Sequence, residues 1–156
     1  MPAPLTVSEI LDPQCVVVPL QASTKREAID MLVDALAAAG RVTDAAAVKK
    51  AVWEREQQRS TGIGEGLAIP HGKTAASRGL SLAVGRLAAP IDYDSIDRKP
   101  VRLVVLLVSP PERTSEHIQA LGRISRLMTN ASFRDRVYAA DDPQQLLELF
   151  REAERP

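Results

Sequence analysis

Leu103-Val104-Val105-Leu106-Leu107-Val108 is apolar without a break, the pattern of a central strand covered on both faces rather than one with a solvated side. Such a strand needs helices above and below it, so this segment decides the fold class, α/β. Toward the C-terminus, Pro110-Pro111 ends the strand. A helix is expected from about Thr114, with Ile118, Leu121, Ile124 and Met128 as its apolar stripe. Two more helical segments follow, around Phe133 to Ala139 and from Asp142-Pro143 to about Arg151. On the other side, Leu80 to Leu87 is a strand candidate, separated from the central one by a turn region around Asp92 to Pro100. Before it, Ser60 to Gly66 is a glycine-rich loop, and Gly66 to Pro70 reads as a strand ending at His71.

The N-terminal part adds helices. Val16 to Val18 read as a short strand after a turn at Asp12-Pro13. Thr24 with Glu27 three residues later is a capping box. Ala28, Ile29, Leu32, Val33 and Leu36 then keep helical spacing, and Gly40 supplies a stop. A second helix is expected from Thr43, with Val48, Ala51 and Val52 on one face. Arg55 shares that face and should point inward, where an unpaired guanidinium would be costly. The whole reads as one layered α/β domain, residues 1–156, with a mixed sheet flanked by helices.

Composition excludes several classes. Lys plus Arg and Asp plus Glu both number 20, giving zero formal net charge. A nucleic-acid partner, which calls for a basic surplus, is therefore not expected. Cys15 is the single cysteine, so no intrachain disulfide can form, and within Cys15-Val16-Val17-Val18 it reads as a small core hydrophobe. The N-terminus lacks the basic start and apolar run of a signal peptide. The longest apolar run, Leu103 to Val108, is too short to cross a bilayer. A cytoplasmic protein with no membrane insertion is the expectation.

Two histidines carry the chemical interest. His71 follows Pro70 at the end of a strand, and His117 lies in the first turn of the helix after the central strand, on its inward side. Ligand sites in α/β sheets gather beyond the carboxyl ends of strands. If the two strands are parallel neighbours, the rings meet in one pocket. Neutral imidazole is a nucleophile, and a helix N-terminus attracts anions. Glycine-rich backbone at Ser60, Thr61 and Gly62 could cradle phosphate oxygens, and Arg55 offers a fork of donors matched to them. Phosphoryl transfer needs little beyond positioning and charge stabilisation, so neither metal nor cofactor is called for. Each feature also has an ordinary reading. A histidine after a strand is commonly structural, an inward Arg commonly pairs with a carboxylate or carbonyl, and a glycine-rich loop is commonly only a turn. Residue chemistry by itself leaves both readings open.

Other motifs fall away. Gly62, Gly64 and Gly66 form G-x-G-x-G leading into a strand, not the G-x-G-x-x-G that opens a dinucleotide-binding helix. Gly66 to Gly72-Lys73-Thr74 has one residue too many for a P-loop, and no G-x-S-x-G elbow is present. A metal site would have two histidines and scattered carboxylates such as Glu65 or Glu116, without H-E-x-x-H or cysteine pairs.

Arg55-Glu56 followed by Ser60-Thr61-Gly62-Ile63-Gly64-Glu65-Gly66-Leu67-Ala68-Ile69-Pro70-His71-Gly72-Lys73 closely resembles the active-site signature of phosphotransferase-system IIA domains of the fructose/mannitol and nitrogen-regulatory type. Pro100 to Leu107 and Glu116-His117-Ile118-Gln119-Ala120-Leu121 resemble that family's second block, in matching order, and the likeness runs from about Leu5 to Phe150. The resemblance implies an α/β sandwich with a mixed sheet of about five strands. It implies that His71 is phosphorylated on Nε2 by the small carrier HPr, itself charged from phosphoenolpyruvate by enzyme I. It further implies that His117 helps hold the phosphoryl group, that Arg55 neutralises it, and that Thr61 and Gly62 line the pocket. The acceptor would be a cysteine of a IIB domain in a sugar-specific component, or regulatory target proteins in a nitrogen-type regulator. The absence of a fused IIB, IIC or HPr segment and the look of Asp92-Tyr93-Asp94-Ser95-Ile96-Asp97 favour the regulator.

Overall fold

The computed structural model describes residues 5–155. In chain order the elements are α1 (Val7–Ile10), β1 (Leu11–Leu20), α2 (Lys25–Ala38), α3 (Ala45–Gln58), β2 (Gly62–Gly64), β3 (Leu67–Ala68), β4 (His71–Lys73), β5 (Ser81–Ile91), β6 (Val101–Ser109), α4 (Thr114–Met128), α5 (Ala131–Tyr138) and α6 (Pro143–Ala153). A 3-10 turn, Pro111–Arg113, leads into α4.

The sheet runs β1-β5-β6-β3-β2, with β4 also on β6. The pairs β1/β5, β3/β6 and β4/β6 are parallel, whereas β5/β6 and β2/β3 are antiparallel. The mixed α/β sheet is thus as expected, with six strands among the described residues where about five were anticipated. The extra strand comes from a divided one. β3 and β4 lie end to end along β6, and one register runs from Leu67↔Leu103 to Lys73↔Ser109. Pro70 has no N–H to give, so the ladder is interrupted there, yet its carbonyl still accepts the Leu107 amide at 3.0 Å. The strand expected to end at His71 therefore continues through it to Lys73.

Strand β6 is the centre. Leu103 to Val108 are fully buried, and their alternation divides them between two cores. Leu103, Val105 and Leu107 pack with Ala120, Ile124 and Phe150, on the face covered by α4, α5 and α6. Val104, Leu106 and Val108 pack with Leu32, Leu36 and Val52, on the face covered by α2 and α3.

Local signals hold the helices in place. Thr24 Oγ1 accepts the Glu27 amide at 3.1 Å, while the Glu27 carboxylate accepts the Ser23 amide at 2.7 Å. Helix α2 ends as expected at Gly40, whose amide reaches the Ala37 carbonyl while that of Arg41 reaches Leu36. Asp44, one residue later than anticipated, caps α3. Asn130 and Asp142 cap α5 and α6. The glycine-rich stretch is a β2–β3 hairpin whose two central residues, Glu65 and Gly66, have φ of 56° and 82°. This two-residue turn needs left-handed backbone at both positions, and Gly66 supplies it without strain.

Two expectations are corrected. Asp12-Pro13 is no turn but lies inside β1, where the register shifts between Leu11 and Val16. β1 is an edge strand, the place in a sheet that tolerates proline. Ile118 is not on the buried stripe of α4 but is 62% exposed. The buried positions are His117, inward as expected, with Ala120, Ile124 and Met128. Cys15 is buried against the Ala35 carbonyl, as its sequence setting suggested, and burial pushes its thiol up to about 11.

Candidate active site

Three elements converge on one cleft. β4 carries His71, α3 brings Arg55, and the helix following β6 brings His117. Because β4 and β6 are parallel neighbours, the two rings do meet, with centroids 5.5 Å apart and planes at 68°. Gly72 lets α3 lie against β4. A Cβ there would stand 3.1 Å from Val52 Cγ2 and 3.2 Å from the Val52 amide nitrogen. Arg55 is thereby set within one turn of that contact.

Hydrogen bonds orient both imidazoles. His71 Nδ1 lies 2.8 Å from the Ile69 carbonyl oxygen, which can only accept, so Nδ1 holds the proton in the neutral ring and Nε2 keeps its lone pair. His117 is 3% exposed, and its Nδ1 lies 2.6 Å from Ser109 Oγ. Burial is the main reason that both rings resist protonation. His71 is lowered from the ordinary histidine value, with Arg55 and Lys73 adding to the effect against the Ile69 carbonyl and Glu56. His117 falls to about 4, with His71 and Lys73 contributing. Two neutral imidazoles therefore face each other near neutral pH, and one of them presents a bare Nε2.

The cleft around them has two lobes, of about 420 and 280 Å³, that share Arg55, His71 and Leu121. The described residues lining these lobes include the cations Arg55, Arg59 and Lys73 and no carboxylate. Lys73 Nζ donates to Thr114 Oγ1 at 3.3 Å, at the first turn of α4, whose N-terminus also favours an anion. Arg55 is half-buried and donates through Nη1 to the Arg59 carbonyl at 3.0 Å, so it has a partner without being neutralised.

The loop residues are placed differently from one another. Ser60 and Thr61 line the smaller lobe beside His71. Gly62 does not line it and sits on β2, where a Cβ would strike Ser95. Two of the amides expected to cradle phosphate already have acceptors. Thr61 N–H donates to Glu56 Oε1 at 2.9 Å, and Gly62 N–H to Ser60 Oγ at 3.1 Å. What the loop contributes is a rigid wall. Glu56 is 3% exposed, pairs with Lys25 Nζ at 3.1 Å, and accepts from the Thr61 hydroxyl, which in turn meets Tyr93 OH at 3.2 Å. Such a buried carboxylate is tolerable because it is both ion-paired and hydrogen-bonded.

Glu56, Lys25, Tyr93 and Ser109 escaped the sequence reading. Glu56 adjoins Arg55 within the quoted motif, and Tyr93 sits in the acidic segment before Pro100, so each had a positional hint. For Lys25 and Ser109 there was none, since their partners are set by tertiary contact.

Residues 9–153 match the family described as "Phosphoenolpyruvate-dependent sugar phosphotransferase system, EIIA 2". The chain is 32% identical over 151 residues to the PTS system fructose-specific EIIABC component of Bacillus subtilis, covering 97% of itself but 24% of that longer protein. It is 35% identical over 130 residues to the PTS system fructose-specific EIIA component of Haloferax volcanii, covering 83% of itself and 84% of the relative. The Nitrogen regulatory protein of Bradyrhizobium diazoefficiens is 32% identical over 142 residues, 91% of this chain and 92% of that one. Among solved structures, nitrogen regulatory protein IIA-Ntr from Neisseria meningitidis superposes with a TM-score of 0.86 at 26% identity, over 92% of this chain and 98% of that one. Enzyme IIAMtl of Escherichia coli, solved in complex with phosphorylated enzyme IIBMtl, shares the fold at 22% identity and a TM-score of 0.76, over 89% of this chain and 95% of that one. With the sequence motifs, the paired rings and these matches in agreement, the chain belongs to the EIIA 2 family of phosphocarrier domains of the phosphoenolpyruvate-dependent phosphotransferase system.

Proposed function

We propose that His71 accepts a phosphoryl group on Nε2 from an HPr-type phosphocarrier in the cytoplasm. The observation that carries this is the Ile69 carbonyl held against Nδ1, which leaves Nε2 as the bare nitrogen in a cation-lined cleft. The lone pair of Nε2 attacks phosphorus in line, the P–N bond to the donor histidine breaks, and the donor ring keeps the electron pair. Arg55 and Lys73 offset the charge on the transferred group, and His117 helps hold it. The step needs no metal or cofactor.

The surface supports a protein donor. Ile63, Ile96 and Ile118 are the exposed large hydrophobics among the described residues, and all three line the two lobes around His71. Apolar residues rimming a polar centre are the anatomy of a transient docking site.

We favour a nitrogen-type regulator, whose phosphorylation state sets its binding to target proteins. The match to the Bradyrhizobium regulator over nearly the full length of both chains and the close superposition on IIA-Ntr support that role. The second reading, a sugar-specific component donating to a IIB cysteine, is favoured by the 35% identity to the Haloferax fructose component. The test is incubation with phosphoenolpyruvate, enzyme I and HPr, read by intact mass beside His71→Ala. One acid-labile phosphoryl group on the wild type alone is expected, and a folded wild type that takes none from an active HPr refutes the reading. Onward transfer to a IIB domain then separates the two roles.

A further inference from the structure

Ser109 closes β6 with its side chain fully buried, and its hydroxyl oxygen lies 2.6 Å from His117 Nδ1. Its backbone is fixed by the sheet, in register with Lys73, and its carbonyl accepts the Thr74 amide at 2.9 Å. Such a hydroxyl has one proton to place. Among the described residues, His117 Nδ1 is the one hydrogen-bond partner of Ser109 Oγ. If Nδ1 held the ring proton it would donate to Oγ, and the serine proton would be left buried without an acceptor. With the roles reversed both the hydroxyl and Nδ1 are satisfied. The serine O–H donates to Nδ1, and the proton of the neutral ring sits on Nε2. His71 has the opposite arrangement, its Nδ1–H donating to the Ile69 carbonyl and its Nε2 bare. The two Nε2 atoms thus differ in kind, one an acceptor and the other a donor, on rings whose centroids are 5.5 Å apart.

We propose that Ser109 is a positioning residue that locks His117 in its Nε2–H tautomer, so that His117 donates a hydrogen bond to the phosphoryl group on His71. Only the last clause rests on the phosphocarrier reading; the tautomer stands by itself. Burial keeps the His117 ring neutral, so the location of its single proton decides what it offers. A ring protonated on Nδ1 would turn a lone pair toward phosphoryl oxygens and repel them. The same hydroxyl also holds the ring plane at the end of the sheet, within the wall of the cleft.

Long-range ¹H–¹⁵N spectra of the imidazoles at pH 7 read each nitrogen directly in the unphosphorylated wild type. A protonated Nε2 and bare Nδ1 are expected on His117, with the reverse on His71, and a protonated Nδ1 on His117 overturns the proposal. In Ser109→Ala the two His117 nitrogens should drift toward averaged shifts. Phosphoryl transfer at saturating donor should fall about tenfold, the scale of one lost hydrogen bond, with KM unchanged. Ser109→Thr should restore both signatures. An alanine variant that keeps the wild-type tautomer and rate removes Ser109 from the site. A wild type that shows His117 Nε2–H but accepts no phosphoryl group supports the tautomer and overturns the hydrogen bond to phosphate, together with the carrier reading.

Discussion

Acid should weaken this fold through His117 before it titrates most carboxylates. The ring is 3% exposed, has His71 and Lys73 as cationic or potentially cationic neighbours, and sits at about 4 against an ordinary 6.5. Its folded value is the lower one, so between these two pH values the unfolded chain binds the proton and the folded chain does not. Stability is then complete above 6.5 and declines as the pH falls toward 4. At about 1.4 kcal/mol per pH unit, the gap corresponds to roughly 3 kcal/mol lost by pH 4. The perturbation is His117→Gln, which keeps a polar side chain but cannot titrate. Urea unfolding of both proteins at steps from pH 7.5 to 4.5 removes the contribution of carboxylates common to both. Wild-type stability should fall more steeply than that of the variant, by about 2–3 kcal/mol over this range. Parallel curves would refute the reasoning, because they would mean that the ring is free to take a proton in place. His71 is lowered too and adds to the wild-type slope in the same direction, but it is present in both proteins and cancels.

Gly72→Ala places a methyl group 3.1–3.2 Å from Val52 on α3, tighter than side chains normally pack. It should cost about 1–3 kcal/mol in thermal or urea unfolding and slow phosphoryl transfer as Arg55 is pushed from His71; an unaltered rate would show that α3 gives way without moving the guanidinium. Ile118→Asp alters an exposed residue at the rim of the cleft, so it should leave Tm within a degree or two and raise KM for the phosphorylated donor about tenfold or more; an unchanged KM would place the donor elsewhere.

Much of the architecture could be read from local pattern, because the deciding features were local. Leu103 to Val108 declared a strand buried on both faces, and Thr24, Asp142 and Gly40 marked helix ends by hydrogen bonds made within a few residues. Errors arose where neighbours in space overrode local chemistry. Pro13 reads as a breaker, yet an edge strand accommodates it. Ile118 reads as core yet is 62% exposed, while His117, inward as expected, has its Nδ1 met by Ser109 from a different element. The convergence of His71, His117 and Arg55 was legible from motif and spacing, conditional on parallel strands that the sheet provides. The support behind them was not. Glu56 finds Lys25 and Thr61 only once α2, α3 and the hairpin are packed, and the cost of burying its charge is invisible until then.

One consequence follows from the continuous register of β3 and β4 on β6. His71 is anchored to the strand that lies deepest in the molecule, with the Leu107 amide bonded to the Pro70 carbonyl immediately beside it. Backbone held in this way is expected to open rarely, so a new covalent state at His71 should leave its course unchanged. On the proposed phosphocarrier reading, a phosphoryl group added to His71 would bring nearly two negative charges to this platform. The loaded and unloaded forms should then differ chiefly in surface potential. Any protein that tells them apart must do so as an electrometer does, by sensing charge over a few ångströms, and its discrimination should fade as salt shortens that reach.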